Sequence, residues 1–243
     1  MVFSLQKEAN FMKSVKDYIN KNGYDKLLGT DPPKSKKAIV PKTVELNKVS
    51  GADKDEYLES VEKVLKAHKK MYETFRDVPN VEALIYRYHI WKLLSNISLS
   101  VHPTIKKKWG INYELFGAFY NTTFPYNSLF HDLEEGSQGN VHFFKPEKDQ
   151  IILANPPYTV EWIRWTIRQI LDKWLGMATF YVVIPVWDSA TREKLGLKKF
   201  PDFPEITELI ENAREHSVKH IPFYDGIAHR NVDLKDPVHI VRI

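Results

Sequence analysis

Apolar residues in the first part of the chain recur at helical spacing. The pattern predicts three helices, from Phe3 to Leu28, from Asp53 to Asp77 and from Val81 to about Leu99. The second is the most regular, because its apolar face repeats at i, i+3 and i+4 through Tyr57, Val61, Val64, Leu65, His68, Met71, Tyr72 and Phe75. Pro79 ends it. The Pro- and Lys-rich stretch 31–42 predicts a linker or an extended arm after the first helix.

The pattern changes after Gly110. Short apolar runs alternate with amphipathic helical segments; the runs are 113–119, 151–155, 180–185, 220–224 and 239–243, and the helices are 160–175 and 204–215. Such alternation indicates an α/β layer fold with a largely parallel sheet. The last two runs have no helix between them, which favours an antiparallel pair. We therefore predict a basic helical region, 1–110, followed by an α/β core, 111–243.

Composition excludes several classes of chemistry. The 243 residues include no cysteine, so the chain forms no disulfide, offers no Cys ligand to a metal and has no thiol nucleophile. No apolar run approaches the roughly 18–20 residues of a membrane span, and the N-terminal stretch lacks the apolar core of a signal peptide. The nine histidines show no HxH or HExxH spacing. We expect a soluble intracellular protein of the nucleus or cytoplasm, with no membrane and no metal partner.

Charge is divided unevenly along the chain. Residues 1–110 carry 21 Lys and Arg against 13 Asp and Glu, a net charge of +8, whereas residues 111–243 carry a net charge of −4. A basic half beside a mildly acidic half suggests that one end meets a polyanion. The run Lys106, Lys107 and Lys108, followed by Trp109, combines charge with an aromatic ring as single-strand contacts do. A solvated loop explains these lysines equally well.

One tetrapeptide, Asn155-Pro156-Pro157-Tyr158, follows the apolar run Ile151–Ala154 directly. Proline lacks the N–H that a central strand needs, so the strand must end at Asn155. The chain then leaves the sheet at the carboxyl ends of its strands, where open α/β sheets bind ligands. A rigid turn with no further role is the plain alternative. The other such string, Asp31-Pro32-Pro33-Lys34, has neither a preceding strand nor an aromatic ring.

The tetrapeptide can hold an exocyclic amine. The Asn155 side-chain oxygen and the Pro156 carbonyl can accept its two hydrogens, and the Tyr158 ring can stack on the planar base that bears it. The nitrogen lone pair is then free to attack an electrophilic methyl group. This arrangement predicts direct methyl transfer from a sulfonium donor, aided by proximity and preorganised acceptors.

These residues resemble a known family. Asn-Pro-Pro-Tyr/Phe after a buried strand is the signature of class I S-adenosylmethionine-dependent amino-methyltransferases. Within them, residues 81–243 are most similar to the cap-specific adenosine N6-methyltransferases typified by the phosphorylated CTD-interacting factor. The similar features, in order, are Arg87-Tyr88, the stretch 113–121, an aromatic turn at Phe130, the tetrapeptide itself, and 183–187. Ala118-Phe119 departs from the Ser-Pro of that family.

The resemblance implies a Rossmann-like core, S-adenosylmethionine as cofactor, and roles for further residues. Asn155 would contact the donor together with residues that follow the first strand, namely Phe116, Gly117, Ala118 and Asn121. Glu114 and Asp132 are candidates for the donor's ribose hydroxyls, although either is more often a surface acid. Pro185 and Trp187 would wall the target-base pocket, although core packing is the commoner role for such a tryptophan.

The leading hypothesis is an RNA adenosine N6-methyltransferase that acts at or near the mRNA 5′ cap. Methylation of DNA adenine or of protein glutamine is the alternative within the same chemistry. A third hypothesis is a catalytically inactive RNA-binding scaffold of the same fold. The positive charge of residues 1–110 favours nucleic acid over protein but does not separate RNA from DNA.

Overall fold

The computed structural model describes residues 62–78, 81–90, 99–128, 136–139, 141, 144–158, 160–196 and 203–243. Its helices are α1 (Lys69–Phe75), α2 (Val81–Ile90), α3 (Pro103–Trp109), α4 (Val160–Gln169), α5 (Ser189–Lys194) and α6 (Pro204–Glu211). Its strands are β1 (Leu99–Val101), β2 (Tyr113–Glu114), β3 (Ile151–Ala154), β4 (Thr179–Pro185), β5 (Glu215–Lys219), β6 (Pro222–Asp225), β7 (Arg230–Asp233) and β8 (Val238–Arg242). The helix predicted over Phe3–Leu28 and the linker 31–42 lie outside the described residues.

The main sheet has five strands in the order β2-β3-β4-β8-β5. The pairs β2–β3 and β3–β4 are parallel, whereas β4–β8 and β5–β8 are antiparallel. The mixed α/β class predicted from the alternation is confirmed. The sheet is mixed, because β8 runs in the opposite direction between β4 and β5, whereas β2, β3, β4 and β5 all point the same way.

A second, three-stranded antiparallel sheet has the order β1-β6-β7. The run 220–224 therefore does not pair with 239–243 as predicted: β6 joins β1 and β7, while β8 lies inside the main sheet. This sheet joins the two predicted regions, because β1 lies before the boundary predicted at residue 110, whereas β6 and β7 lie after it. Strand pairing over such sequence distances depends on tertiary packing, which a local pattern does not encode.

The helix predicted from Val81 to about Leu99 is described as far as Ile90, and the lysine run adopts a structure that the pattern did not predict. α2 ends at Ile90 in the described residues, and Leu99 already belongs to β1. The lysine run is the last turn of α3, not a loop. That helix begins where His102 accepts from the Thr104 N–H and Pro103 takes the first position, and it ends at Gly110, whose φ is 71°.

The central strands of the main sheet, β3, β4 and β8, are buried on both faces, and alternate residues of β3 point to opposite sides. Ile152 and Ala154 pack in the larger core, with the tryptophans of α4 and the apolar side of α6. Leu153 packs in the smaller core, with residues of α3 and the three-stranded sheet. After α4 the chain continues as a π-helical turn, Ile170–Trp174. None of the helices in the described part of the chain is long and apolar enough to cross a membrane.

Candidate functional site

β3 ends within one residue of Asn155, where the sequence predicted its end. Ile152, Leu153 and Ala154 are buried, and the strand stops at Ala154, one residue before the Asn155 loop (residues 155–158). The two prolines that follow have no N–H for a strand ladder, so the chain leaves the sheet and enters α4. The Asn155 loop therefore lies at the carboxyl ends of the parallel strands.

A second loop, the Phe116 loop (residues 115–124), leaves the sheet from β2, the parallel neighbour of β3. Only Tyr113 and Glu114 of the predicted run 113–119 form a strand, because the chain then turns through its own hydrogen bonds. The Ala118 N–H donates to Asn121 Oδ1 at 2.9 Å, and the Asn121 N–H donates to the Ala118 carbonyl at 3.0 Å. These two bonds close a compact turn.

Gly117 is required for close packing in this turn. A Cβ at Gly117 would lie 2.5 Å from the Cβ of Tyr126, whose side chain is buried. The Gly117 N–H donates to the Asn127 carbonyl at 2.8 Å, which fixes the approach. The glycine thus lets residue 126 sit directly behind the Phe116 loop.

The two loops line one cavity, which has about 570 Å³ of unfilled volume including its open mouth. Eight residues predicted for catalysis or donor binding come together there: Phe116, Gly117, Ala118, Asn121, Asn155, Pro156, Pro157 and Tyr158. None of the described residues that line the cavity carries a charge. The cavity is therefore suited to neutral, flat groups that are fixed by a few amide contacts.

Three lining residues were not predicted from the sequence. Leu99, Phe223 and Leu234 form an apolar part of the wall. The first two come from β1 and β6 of the three-stranded sheet, and Leu234 follows β7. The apolar run 220–224 was a sequence signal for the strand, but nothing local indicates that it faces the Asn155 loop.

The hydroxyl of Tyr158 has a partner that the sequence did not suggest. It donates to Asn155 Oδ1 at 3.1 Å. Burial raises the pKa of the Tyr158 hydroxyl well above its ordinary value, so the group stays protonated and remains a donor. The bond fixes the orientation of the Asn155 amide and leaves its oxygen one more lone pair.

Lys106 and Glu114 form a buried ion pair. Lys106 Nζ lies 2.7 Å from Glu114 Oε2, and the two side chains are 1% and 3% exposed. Burial lowers the pKa of Lys106, and the neighbouring Glu114 carboxylate opposes that change. The structure thus corrects two expectations: Lys106 does not present its charge to a surface polyanion, and Glu114 does not line the cavity.

The rest of the lysine run is at the surface. Lys107 and Lys108 are exposed. Trp109 stacks on Tyr181, with ring centroids 5.0 Å apart and planes at 5°, so one face of its ring is already covered. Only the two exposed lysines of the predicted triplet are placed to meet a polyanion.

Pro185 and Trp187 follow the same edge of the sheet but do not line the cavity. Pro185 ends β4 beside Val238, and Trp187 packs edge-to-face on Phe203 with centroids 6.2 Å apart. Their assignment to the wall of a base pocket stays a prediction. Asp132 and Phe130 lie outside the described residues.

A chain of three titratable side chains lies at the end of β4. His239 is fully buried, its Nε2 lies 2.6 Å from Asp188 Oδ2, and its Nδ1 lies 3.0 Å from His216 Nε2. Burial lowers the pKa of both histidines, against the opposing charge of Asp188. Burial would raise the pKa of Asp188, but hydrogen bonds from Thr191 and the interaction with His239 outweigh it, so that pKa is lowered.

The residues around the cavity fit the uncharged parts of S-adenosylmethionine. Apolar and amide groups of the Phe116 loop suit a heterocycle. Among the described residues, no group of three or more His, Cys, Asp or Glu is arranged to hold a metal ion. No protein-family model matches the chain, and no curated protein matches it significantly.

Proposed function

We propose that this chain is an S-adenosylmethionine-dependent methyltransferase that acts on the N6 amine of adenosine in RNA, at or near the mRNA 5′ cap. The observation that carries the proposal is the meeting of the Asn155 loop and the Phe116 loop in one cavity at the carboxyl ends of β3 and β2. A Rossmann-like class I core is the corresponding proposal for the fold.

Donor and acceptor would occupy different sides of the cavity. Phe116, Ala118 and Asn121 would hold the donor, which supplies an electrophilic methyl group when bound. The Asn155 oxygen and the Pro156 carbonyl would accept the two hydrogens of the target amine. The lone pair of that nitrogen then points away from both acceptors, toward the methyl group.

The polar groups of the Asn155 loop would act without gaining or losing a proton. Positive charge develops on the amine nitrogen as the methyl group is transferred, and two preorganised carbonyl oxygens stabilise it. Tyr158 donates to Asn155 Oδ1, which holds that oxygen in place before the amine arrives. No charged side chain of the described lining residues competes for the amine, and the methylated nitrogen is acidic enough to release its proton to water.

The uncharged, partly aromatic lining favours a nucleobase as the acceptor. A flat ring can stack on Tyr158 and contact the apolar residues Leu99, Phe223 and Leu234. The basic character of residues 1–110 supports a nucleic acid as the polymer that carries the base, since phosphate contacts supply most of the affinity for nucleic acids. Residues 1–61 of that region lie outside the described residues.

A panel of acceptors tests the proposal. The protein is incubated with methyl-labelled donor and with capped RNA, uncapped RNA, DNA and a glutamine-containing peptide, and the products are identified by mass spectrometry. We expect N6-methyladenosine in RNA, most of it in the capped substrate. If only DNA or only the peptide became labelled, RNA would not be the substrate. If no acceptor became labelled, the proposed methyl transfer would be contradicted. The same panel is run with the variant Asn155→Ala, which removes the amide that would hold the amine. Its matched control is Asn212→Ala, which removes an exposed asparagine at the end of α6.

A further inference from the structure

The buried ion pair between Lys106 and Glu114 lies beside the Phe116 loop. Burying two charges costs free energy that their attraction does not always repay, and an apolar pair of similar size is often at least as stable. Stability alone therefore does not account for the pair. Its other hydrogen bonds indicate what it does.

The other side-chain hydrogen bonds of the pair go to three consecutive residues of the Phe116 loop, 121–123. Lys106 Nζ donates to the carbonyl of Asn121 at 3.3 Å. Glu114 Oε1 accepts from the Thr122 hydroxyl at 3.0 Å and from the Thr123 N–H at 3.1 Å. Both charged groups thus bind the segment 121–123.

The opposite ends of the pair are anchored in regular structure. Lys106 belongs to α3, and Glu114 ends β2, where its own N–H and carbonyl bond to residues 125 and 127. Asn121 in turn accepts from the Ala118 N–H through its side chain. A continuous set of hydrogen bonds therefore runs from α3 and β2 to two residues that line the cavity, Ala118 and Asn121.

We propose that Lys106 and Glu114 are positioning residues that hold the Phe116 loop in the shape that binds the methyl donor. The assignment of the ligand rests on the proposed function, whereas the fixing of the loop does not. A loop that is not held in its binding shape must be ordered when the donor binds, and that cost lowers the affinity for the donor.

Hydrogen exchange and donor binding test the proposal together. In Lys106→Met and in Glu114→Gln, we expect the amides of Ala118, Asn121 and Thr123 to exchange at least about tenfold faster, because local opening becomes easier. Amides of β4 and β8 should keep their protection. The KM for S-adenosylmethionine should rise by about tenfold while kcat at saturating donor changes less than about threefold, because the Asn155 loop is untouched. Lys148→Met, which removes an exposed lysine, should change neither.

The double variant Lys106→Met/Glu114→Gln keeps the test valid if a single variant fails to fold, because it leaves no buried charge unpaired. We expect faster exchange at Asn121 in the double variant as well, since the contact from Lys106 is lost. Unchanged protection of the three amides in every folded variant would overturn the proposal and leave the pair a purely structural role. Failure of the wild-type protein to bind donor would instead contradict the proposed function, while the exchange result would still decide whether the pair fixes the loop.

Discussion

The two loops that line the cavity are held in place by different means. The Asn155 loop is stiff through its own covalent structure, because two of its four residues are prolines, and it has one internal side-chain bond, from Tyr158 to Asn155. The Phe116 loop contains no proline. It is fixed by Tyr126 behind Gly117 and by the buried pair of Lys106 and Glu114.

A loop that lines a cavity can thus be held in a fixed shape either by its own residues or by tertiary contacts. A loop stiffened by proline keeps its shape even when a neighbouring side chain is removed. A loop held by a buried ion pair depends on the helix and strand that carry the charges. We therefore expect mutations to affect the two loops differently. Changes in the Asn155 loop should affect methyl transfer, whereas changes around the Phe116 loop should affect donor binding.

The largest expected effect is that of Asn155→Ala on methyl transfer. Loss of one preorganised acceptor costs on the order of 3 kcal/mol, so kcat should fall by about a hundredfold. Donor affinity should stay within a few-fold, because the amide holds the acceptor amine. Single-turnover kinetics with saturating donor measure the first effect, and calorimetry measures the second. More than half of the wild-type rate in this variant would refute the assigned role.

Substitutions of Tyr158 should separate its ring from its hydroxyl. Tyr158→Ala removes the stacking platform, worth roughly 1–3 kcal/mol per base, and should lower kcat/KM by about 5- to 150-fold. Tyr158→Phe removes only the bond to Asn155 and should cost about 0.5–1.5 kcal/mol, or 2- to 12-fold. Equal losses in the two variants would show that the ring contributes nothing beyond its hydroxyl.

The chain of Asp188, His239 and His216 should affect stability without acting through either loop. The pKa of each histidine is lowered from 6.5 in the folded protein, so the unfolded chain binds more protons as the pH falls below that value. Above pH 6.5 the two histidines do not lower the free energy of unfolding. As the pH falls below 6.5, the free energy of unfolding decreases by up to about 1.4 kcal/mol per pH unit for each extra proton that the unfolded chain binds. The lowered pKa of Asp188 acts in the same direction below pH 3.8.

Urea unfolding between pH 7 and pH 5 measures this dependence. His239→Gln removes one titrating group and should flatten the dependence relative to wild type. His102→Gln is a suitable control, since His102 bonds to Thr104 and Asn231 near the surface. An equally steep dependence in His239→Gln would show that other groups cause the acid destabilisation.

The smallest effect is expected at the exposed lysines of α3. Lys107→Glu combined with Lys108→Glu should weaken RNA binding by less than about tenfold and reduce its salt dependence, because fewer counterions are released. Donor binding should be unchanged, since neither lysine belongs to the pair behind the Phe116 loop. Fluorescence anisotropy at two salt concentrations is the measurement. Unchanged affinity and slope would place the RNA-binding surface elsewhere.

The sequence predicted the parts of the site that depend on local chemistry. The end of β3 directly before Asn155 follows from two prolines, and the cavity contains the eight residues assigned to the two loops. The mixed α/β class also followed from local periodicity. Whether these residues bind a donor and an amine remains a prediction.

What the sequence did not predict depends on contacts between distant segments. Lys106 reads like its two neighbours in a run of three, and only the packing of α3 against Glu114 decides which lysine is buried. The wall formed by Leu99 and Phe223 requires the pairing of strands more than a hundred residues apart. The antiparallel entry of β8 likewise results from sheet assembly, to which periodicity is insensitive.

Titration of S-adenosylmethionine into the wild-type protein and two variants, followed by calorimetry, tests the central claim most directly. We expect one binding site in the wild type, affinity reduced by about tenfold in Lys106→Met, and affinity within about threefold of wild type in Asn155→Ala. That pattern would assign the Phe116 loop to the donor and leave the Asn155 loop for the acceptor amine. No binding by the wild type, or an equal loss in both variants, would contradict the account.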